Sequence, residues 1–424
     1  MFSSFKLIRD ESEKGLSDSH FGTHSVVTIS GSDMIEFISD ICSQIGPRAS
    51  ASPAEKKAGD YLENEFAQFC DSATQEQFEL HPRAFLDFVW ITLGFFLLAA
   101  VAYPFFPLLT AIFIACGFFL FFAEQILLWE PIDRFFPKKS STNVIGKISS
   151  AEESKGTVIL SAHHDSAFEF TLMRHLGKRS TILINATVAL GVIAALLALL
   201  KALSLELEPS LGETIDLFQF PILGLAFLLL LLFALTLHSS RVVMGANDNL
   251  SGVAVIVEAG KRLAQNRPEH CDIWLVSFGC EEAGMRGSKH FVEQHMADFQ
   301  GPHDFLLNLD NVGAGTLHIL SEEKMARAKY TQASVEMAEQ AAATAGHQVP
   351  TIPYDFAHTD ACRFAKKNLN AVSIIAMGSH GMPANWHSRT DVLEELDGAV
   401  LEQSLDITMQ FVKGVDGAIG ESLD

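Results

Sequence analysis

Five short stretches of this chain concentrate imidazole and carboxylate groups, each following an apolar run or a glycine-rich turn. They are Ser161-Ala162-His163-His164-Asp165, Gly245-Ala246-Asn247-Asp248-Asn249, Cys280-Glu281-Glu282, Asn308-Leu309-Asp310 and Trp386-His387-Ser388. Zinc takes imidazole nitrogen and carboxylate oxygen, and a catalytic site keeps one position open for water. Two zinc ions about 3.5–4 Å apart can activate a water and hold the oxyanion that forms. Two ions with three ligands each need only five side chains when one carboxylate bridges. The stretches offer His, Asp, Glu, Asp and His, with one Glu to spare. The spare Glu has the chemistry of a general base, taking a proton from water and passing it to a leaving amine.

The order and composition of these stretches resemble metallopeptidase family 28, which holds zinc aminopeptidases, glutamate carboxypeptidases and, as a divergent branch, glutaminyl cyclases. The resemblance covers roughly 34–83, 140–170 and 241–412. Gly46-Pro47-Arg48 with Pro53-Ala54-Glu55-Lys56 is similar to the family's N-terminal segment. Gly245 to Gly252 is similar to its bridging-Asp turn, and Trp386 to Asp391 to its last His motif. The resemblance implies that His163 and Asp310 bind one zinc, that Glu282 and His387 bind the other, and that Asp248 bridges them. Glu281 is then the general base, and Asp165 orients the His163 ring from behind. His164 stands where a Tyr is usual, and Asn249 follows the bridging Asp; neither departure removes a ligand.

Three further residues are candidates for loops that line the substrate pocket. His380, in Gly378-Ser379-His380-Gly381, competes with His387 as the last ligand; the Ser-Arg-Thr-Asp after His387 favours His387. His358 and Asp360 precede a short helix expected over 360–367, where the plain alternative is an N-cap at Thr359 or Asp360.

The elements that must position these residues read as an α/β domain. Helices are expected over 32–42, 53–70 (capped near Ser52), 250–266 and 324–345. Strands are expected over 143–148, 157–162, 273–278, 305–309 and 371–375. Alternation of this kind implies a central, largely parallel sheet with helices on both faces. Ligands then gather beyond the carboxyl ends of the strands. Residues 1–30 show no clear period and are expected to form a loose arm or an edge element.

Two long insertions interrupt this domain. Phe88 to Ala123 contains no charged residue and is broken by Pro104 and Pro107; Thr181 to Leu200 and Leu217 to Leu237 are also uncharged. Runs of this length suit helices that cross ~30 Å of hydrocarbon. They are expected to form two transmembrane hairpins, over 84–130 and 181–238, with an acidic loop inside the second and Tyr103 and Trp129 at interfaces. The peptidase domain is then assembled from 1–83, 131–180 and 239–424. Each hairpin returns the chain to the side it left, so all site residues share one side. That side carries Arg83, Arg134, Lys138, Lys139, Arg174, Lys178, Arg179 and Arg241. The other offers Lys201 against Glu206, Glu208, Glu213 and Asp216. The positive-inside rule therefore places the catalytic domain in the cytoplasm. No apolar segment of signal-peptide type occurs before residue 84. Six cysteines without close spacing suit a reducing compartment.

The net charge of -21, from 51 acids and 30 bases, argues against nucleic-acid binding. Glu322-Glu323 and Glu394-Glu395 read as solubilising charge on surface helices. The expectation is a four-pass di-zinc exopeptidase, an aminopeptidase first, acting on short peptides, apolar ones included. The alternatives are a glutaminyl cyclase using one zinc, a carboxypeptidase or dipeptidase, and a non-catalytic receptor-like member. Oligomeric state is not legible.

Overall fold

The computed structural model describes residues 31–177, 179–355 and 357–423. The expected N-terminal arm and Lys178 lie outside the described residues. Nine strands form one mixed sheet: β1 (Ser72–Leu80), β2 (Lys139–Ile148), β3 (Gly156–His163), β4 (Cys271–Phe278), β5 (Phe305–Asp310), β6 (Thr316–Glu323), β7 (Ala328–Lys329), β8 (Thr351–Tyr354) and β9 (Ala371–Met377). Their order is β1-β2-β4-β3-β5-β9-β6-β7, with β8 alongside β6. The centre, β4-β3-β5-β9, is parallel, and the flanks β1-β2 and β6-β7 are antiparallel. Central strands buried on both faces read as nearly continuous apolar runs, as Val158–Ala162 and Ala371–Met377 do, each interrupted by one serine.

Twelve helices complete the described chain. α1 (Gly31–Gln44), α2 (Pro53–Phe66), α8 (Ser251–Gln265), α9 (Arg286–His295), α10 (Gln332–Thr344), α11 (Ala361–Ala365) and α12 (Gly398–Leu423) cover the sheet. Ser52 caps α2 by accepting from the Glu55 amide, and Pro53 pre-sets its first turn. The main core lies between the sheet and α1, α8, α10 and α12, with Leu160, Ile256, Leu307, Ile374 and Phe411 at its centre. A second core under the opposite face joins Phe278, Phe291 and Phe364.

The remaining helices are α3 (Ala84–Ala102), α4 (Pro107–Phe121), the short α5 (Thr171–Leu176), α6 (Arg179–Leu207) and α7 (Pro209–Thr236). Four helical stretches of 19, 21, 26 and 27 residues are long and apolar enough to cross a membrane. α4 continues into a π-helical turn over Phe122–Leu127 and stops at Leu128 in the left-handed region. Alanines meet where the four pack, at Ala99, Ala111, Ala194, Ala198 and Ala226, and allow close approach of the backbones. Outward, the same helices expose Leu97, Phe105, Phe119, Leu196 and Leu228. At the end remote from the sheet, the carboxylate of Asp216 accepts from Tyr103 and pairs with Lys201.

Four expectations are corrected. The expected acidic loop is helical almost throughout, because α6 and α7 extend to within one residue of each other at Glu208. The helix expected from Lys324 starts only after Thr331, whose hydroxyl caps α10; the preceding residues turn back so that β7 pairs with β6. α2 ends at Phe66, ahead of the expected residue 70, where the chain turns into β1. Glu323 is not a surface charge. It is fully buried at the end of β6, where its carboxylate accepts from Tyr330 and from both the amide and hydroxyl of Thr359.

Burial lifts Glu323 from its ordinary 4.5 to about 7. Between those values the folded chain holds a proton that the unfolded chain has released, so this group's contribution to stability falls as pH rises. Glu323→Gln cannot titrate. The stability of the variant relative to the parent should rise by about 1–3 kcal/mol between pH 5 and pH 8, at roughly 1.4 kcal/mol per pKa unit. Thermal melts of both chains across that range would check this, and a constant difference would contradict it.

Candidate metal centre

Four neighbouring parallel strands deliver the site at their carboxyl ends. His163 is the last residue of β3 and Asp310 the last of β5. Glu281 and Glu282 follow β4, and His387 lies in the loop after β9. Asp248 comes from the turn ahead of α8, across a cis peptide bond to Asn249. Residues more than two hundred positions apart thus meet because adjacent parallel strands all end at one edge.

The geometry centres on Asp248. Its Oδ1 lies 3.2 Å from His163 Nε2, and its Oδ2 lies 3.3 Å from His387 Nε2. His387 Nε2 is also 3.1 Å from Glu282 Oε2. Ligand atoms of His163, Asp248 and Glu282 all fall within 4.8 Å of one another. A tetrahedral ion with bonds of about 2.0–2.1 Å separates its ligand atoms by roughly 3.3–3.4 Å. These donors stand close to that spacing already. Asp310 lines the same cavity, where Asn311 Nδ2 donates to its carboxylate at 2.7 Å.

The charge balance also calls for a cation. Asp165, Asp248, Glu281, Glu282 and Asp310 are all buried or nearly so, facing two imidazoles. Burial disfavours the charged form of every one. It pushes Glu281 well above the usual carboxylate range and Asp310 to about 7. Against burial, Asp165 and Asp248 hold the His163 ring well above its ordinary value. Against burial again, Glu282 and Asp248 hold His387 at about 10. The two rings balance charge that a divalent ion would take over, and ligation would require them to shed their protons. Asp248 Oδ2, Glu282 Oε1 and His387 Nδ1 have no hydrogen-bond partner among the described residues. The donor set fits zinc.

Neighbouring side chains fix these donors. Asp165 sits within 3.3 Å of His163 Nδ1. The same carboxylate accepts the Glu281 amide at 3.0 Å, the Glu282 amide at 3.2 Å and the Ser50 hydroxyl at 2.6 Å. It therefore joins the back of one imidazole to the Glu-Glu turn. Asp391 accepts the amides of Asn247 and Asp248 and is lifted to about 8 by burial. Asn249, unusual at its position, donates to Leu309 O and accepts from the Asn311 amide, tying the Asp248 turn to the end of β5. Arg48, fully buried, donates to the carbonyls of Gly46, His164, Met244 and Gly245. Glu169 clamps Arg389 bidentately at 2.7 and 3.0 Å, and Phe170 packs edge-on to the His387 ring. His164 is core: burial lowers it to about 4, and Nδ1 meets Ser277 Oγ at 2.9 Å.

The loop candidates separate. His358 lines the metal cavity, with Nε2 2.9 Å from Gln125 O. Asp360 takes the N-cap position of α11 without a capping bond and is buried behind the site. The nearby Ser288 hydroxyl donates to Met285 O, and burial raises Asp360 to about 7. His380 is exposed, with Nδ1 2.7 Å from Ser379 Oγ, and does not line the cavity. Glu55 was not singled out for the site. It accepts the Cys280 and Ala51 amides and the Ser141 hydroxyl, beside the turn that carries Glu281, and burial raises it to about 8. Its sequence signals were the Ser-x-x-Glu pattern at 52–55 and its place in the Pro53-Ala54-Glu55-Lys56 segment.

The cavity above the donors has a volume of about 420 Å³. Its far walls come from the apolar helices: Phe85 and Phe88 of α3, Phe121 of α4, Ile184 of α6 and Phe233 of α7.

Part of the sequence and the fold of the chain are similar to known proteins. Residues 234–412 match the model of Peptidase family M28. The matched segment holds Asp248, Glu281, Glu282, Asp310 and His387; His163 precedes it. Aminopeptidase YwaD of Bacillus subtilis (strain 168) is 38% identical over 69 residues, which is 16% of this chain and 15% of that protein. The matched stretch thus spans about a seventh of that curated relative's length. A Zn-dependent exopeptidase from Parabacteroides distasonis ATCC 8503 superposes with a TM-score of 0.51 at 16% identity, over 92% of this chain and 99% of that one. A glutaminyl cyclase from Fimbriiglobus ruber does so with 0.54 at 13% identity, over 95% and 99%. The chain thus shares its fold with an exopeptidase and a glutaminyl cyclase alike, and the fold does not by itself choose between hydrolysis and cyclisation.

His387→Ala should cost the protein metal, and His380→Ala should not. Elemental analysis of both variants after dialysis against zinc would check this; loss of metal from the His380 variant alone would reverse the assignment.

Proposed function

We propose that this chain is a membrane-anchored zinc metallopeptidase, most simply an aminopeptidase that removes N-terminal residues from short peptides. The observation that carries the reading is the placement of Asp248, one oxygen toward each of two imidazoles, with Glu281 left over beside them. His163 and Asp310 would hold one zinc, Glu282 and His387 the other, and Asp248 both. Bound there, zinc supplies Lewis-acid polarisation of a carbonyl and lowers the pKa of water.

The chain's own groups do the rest. Glu281 Oε2 lies 4.0 Å from His163 Nε2. Burial raises its proton affinity above that of an ordinary carboxylate, which suits a group that, ionised beside bound cations, would take a proton from water and return it to the departing amine. Asp165 positions it, through the amide of Glu281, and orients His163 at the same time. The apolar cavity walls exclude bulk water, which strengthens every charge interaction inside.

A second reading has its own support. His387 Nε2 stands within 3.3 Å of carboxylate oxygens of both Asp248 and Glu282, and an Asp-Glu-His set holding one zinc is what a glutaminyl cyclase needs. Metal content separates the two. The peptidase reading expects close to two zinc equivalents and a Glu281→Gln variant that keeps both while losing turnover by at least about a hundredfold. One equivalent with full activity on N-terminal glutaminyl peptides would favour the cyclase.

The four apolar stretches are proposed to cross the bilayer as two hairpins, with the sheet domain and the C-terminus in the cytoplasm. The support is the bias of Lys and Arg toward the sheet-side flanks; the far-side Lys201 is paired with Asp216. With Ser210→Cys and Ser422→Cys variants on intact cells, an impermeant maleimide should mark the first and spare the second. Labelling at 422 would reverse the orientation.

A further inference from the structure

The metal cavity does not end at the membrane helices. A second, narrow slot of about 60 Å³ runs on between α3, α4, α6 and α7. Phe88, Phe121, Ile184 and Phe233 line both spaces, so the slot abuts the metal cavity along these four side chains. It carries no charged residue. Its polar members are Thr92 and Thr187, and the Thr187 hydroxyl is bonded to its own helix at Leu183 O. Along α3 it reaches from Phe88 to Phe96, roughly 12 Å at the helical rise. Val188 lines it while being 36% exposed, so the slot approaches the outer surface of the bundle there. Around that surface lie the outward Leu and Phe side chains of the same helices.

We propose that the slot is a lateral subsite for the apolar tail of the substrate, which reaches the metal centre from within the bilayer. The substrate class is an aminoacyl amide or short peptide bearing a slim, alkyl-like chain next to the scissile bond. An intact transmembrane helix, about 10–12 Å across, is far too wide for it. In the reaction the C–N bond breaks, the carbonyl carbon takes the oxygen of water, and the leaving amine takes a proton. The proposal rests on the peptidase reading for its chemistry and on the slot for its selectivity.

Two measurements on the full-length, zinc-loaded chain in lipid nanodiscs test it. The first compares kcat/KM for alanine n-alkylamides from methyl to octyl. Burying a methylene is worth at most about fourfold, and the parent should gain at least tenfold overall from butyl to octyl. Partition into the bilayer raises long-chain rates alike in any variant, so the decisive quantity is the loss of chain-length dependence when the slot is filled. Val188→Trp, at a half-exposed site, and Gly117→Leu, whose new side chain meets Phe96 and Thr92, should each flatten the series at least fivefold relative to the parent. A parallel series of 2-aminoalkanoyl methylamides, lengthened on the N-terminal side instead, tells which side of the amide bears the tail. Identical chain-length profiles in parent and both variants would overturn the proposal.

The second measurement needs no turnover. An alanine octylamide with a diazirine at the chain end should, on illumination, label peptides covering 88–96, 117–121 or 184–188. Excess unlabelled alanine octylamide should suppress this, and octanol should not. Labelling confined to the outer lipid face, at Leu97 or Leu196, would overturn the subsite. Slot labelling in a protein that hydrolyses none of the amides would keep the subsite and sink the peptidase reading.

Discussion

Negative charge that cannot reach water is the constraint on which this structure depends. Asp165, Asp248, Glu281, Glu282 and Asp310 converge beneath an apolar cavity, and each would abandon its charge if left alone there. Every surrounding loop is built to manage that cost. Arg48 donates to the carbonyls of His164, Met244 and Gly245 in the loops that carry His163 and Asp248. Asp391 holds the Asp248 turn through its amides, and Asp165 does the same for the Glu-Glu turn. Cys280 and His387, flanking or forming the donor set, sit at positive φ, which costs about 1–3 kcal/mol each and persists only where neighbours over-determine it.

The same economy explains why the insertions fall where they do. The first leaves the domain after β1 and returns at β2; the second leaves after β3 and returns ahead of the Asp248 turn. Both therefore emerge beside the carboxyl edge of the parallel strands, and their ends become walls over the donors. α3 supplies Phe85 and Phe88, and α7 supplies Phe233 and Leu237. A shared lining of this kind makes the apolar helices part of the cavity.

Much of this was legible in the sequence because the signals were local. An apolar run ending in His163 or Asp310 already implies a strand and the edge where its last side chain sits. Uncharged runs of twenty residues already imply membrane-length helices. Signals that depend on distant partners were not legible. Glu323 looked like surface charge, since nothing nearby in sequence announces Tyr330 and Thr359 as its partners. Residues 324–330 have a composition that suits a helix, yet pairing with β6 takes them into a hairpin. Glu55 serves Cys280, 225 positions away. His358 and His380 both stood as pocket-loop candidates, and the contact of His358 with the carbonyl of Gln125 at the end of α4 is what puts it on the cavity wall.

That contact is made to backbone. His358 meets the carbonyl of Gln125, Lys366 donates to those of Ile126 and Leu127, and Arg363 to that of Leu128. Every residue type offers a carbonyl, so these bonds do not themselves depend on the side chains of the stretch, although the Gln125 side-chain amide also donates to Phe85 O and Leu128 is buried in the second core. Adding or deleting one residue in α4 is different. It turns the following carbonyls by about 100° and shifts them by about 1.5 Å, and all four acceptors leave their donors together. The half of the molecule that carries the donor cluster thus gauges the length of α4, so relatives of this chain should resist insertion or deletion ahead of 125–128.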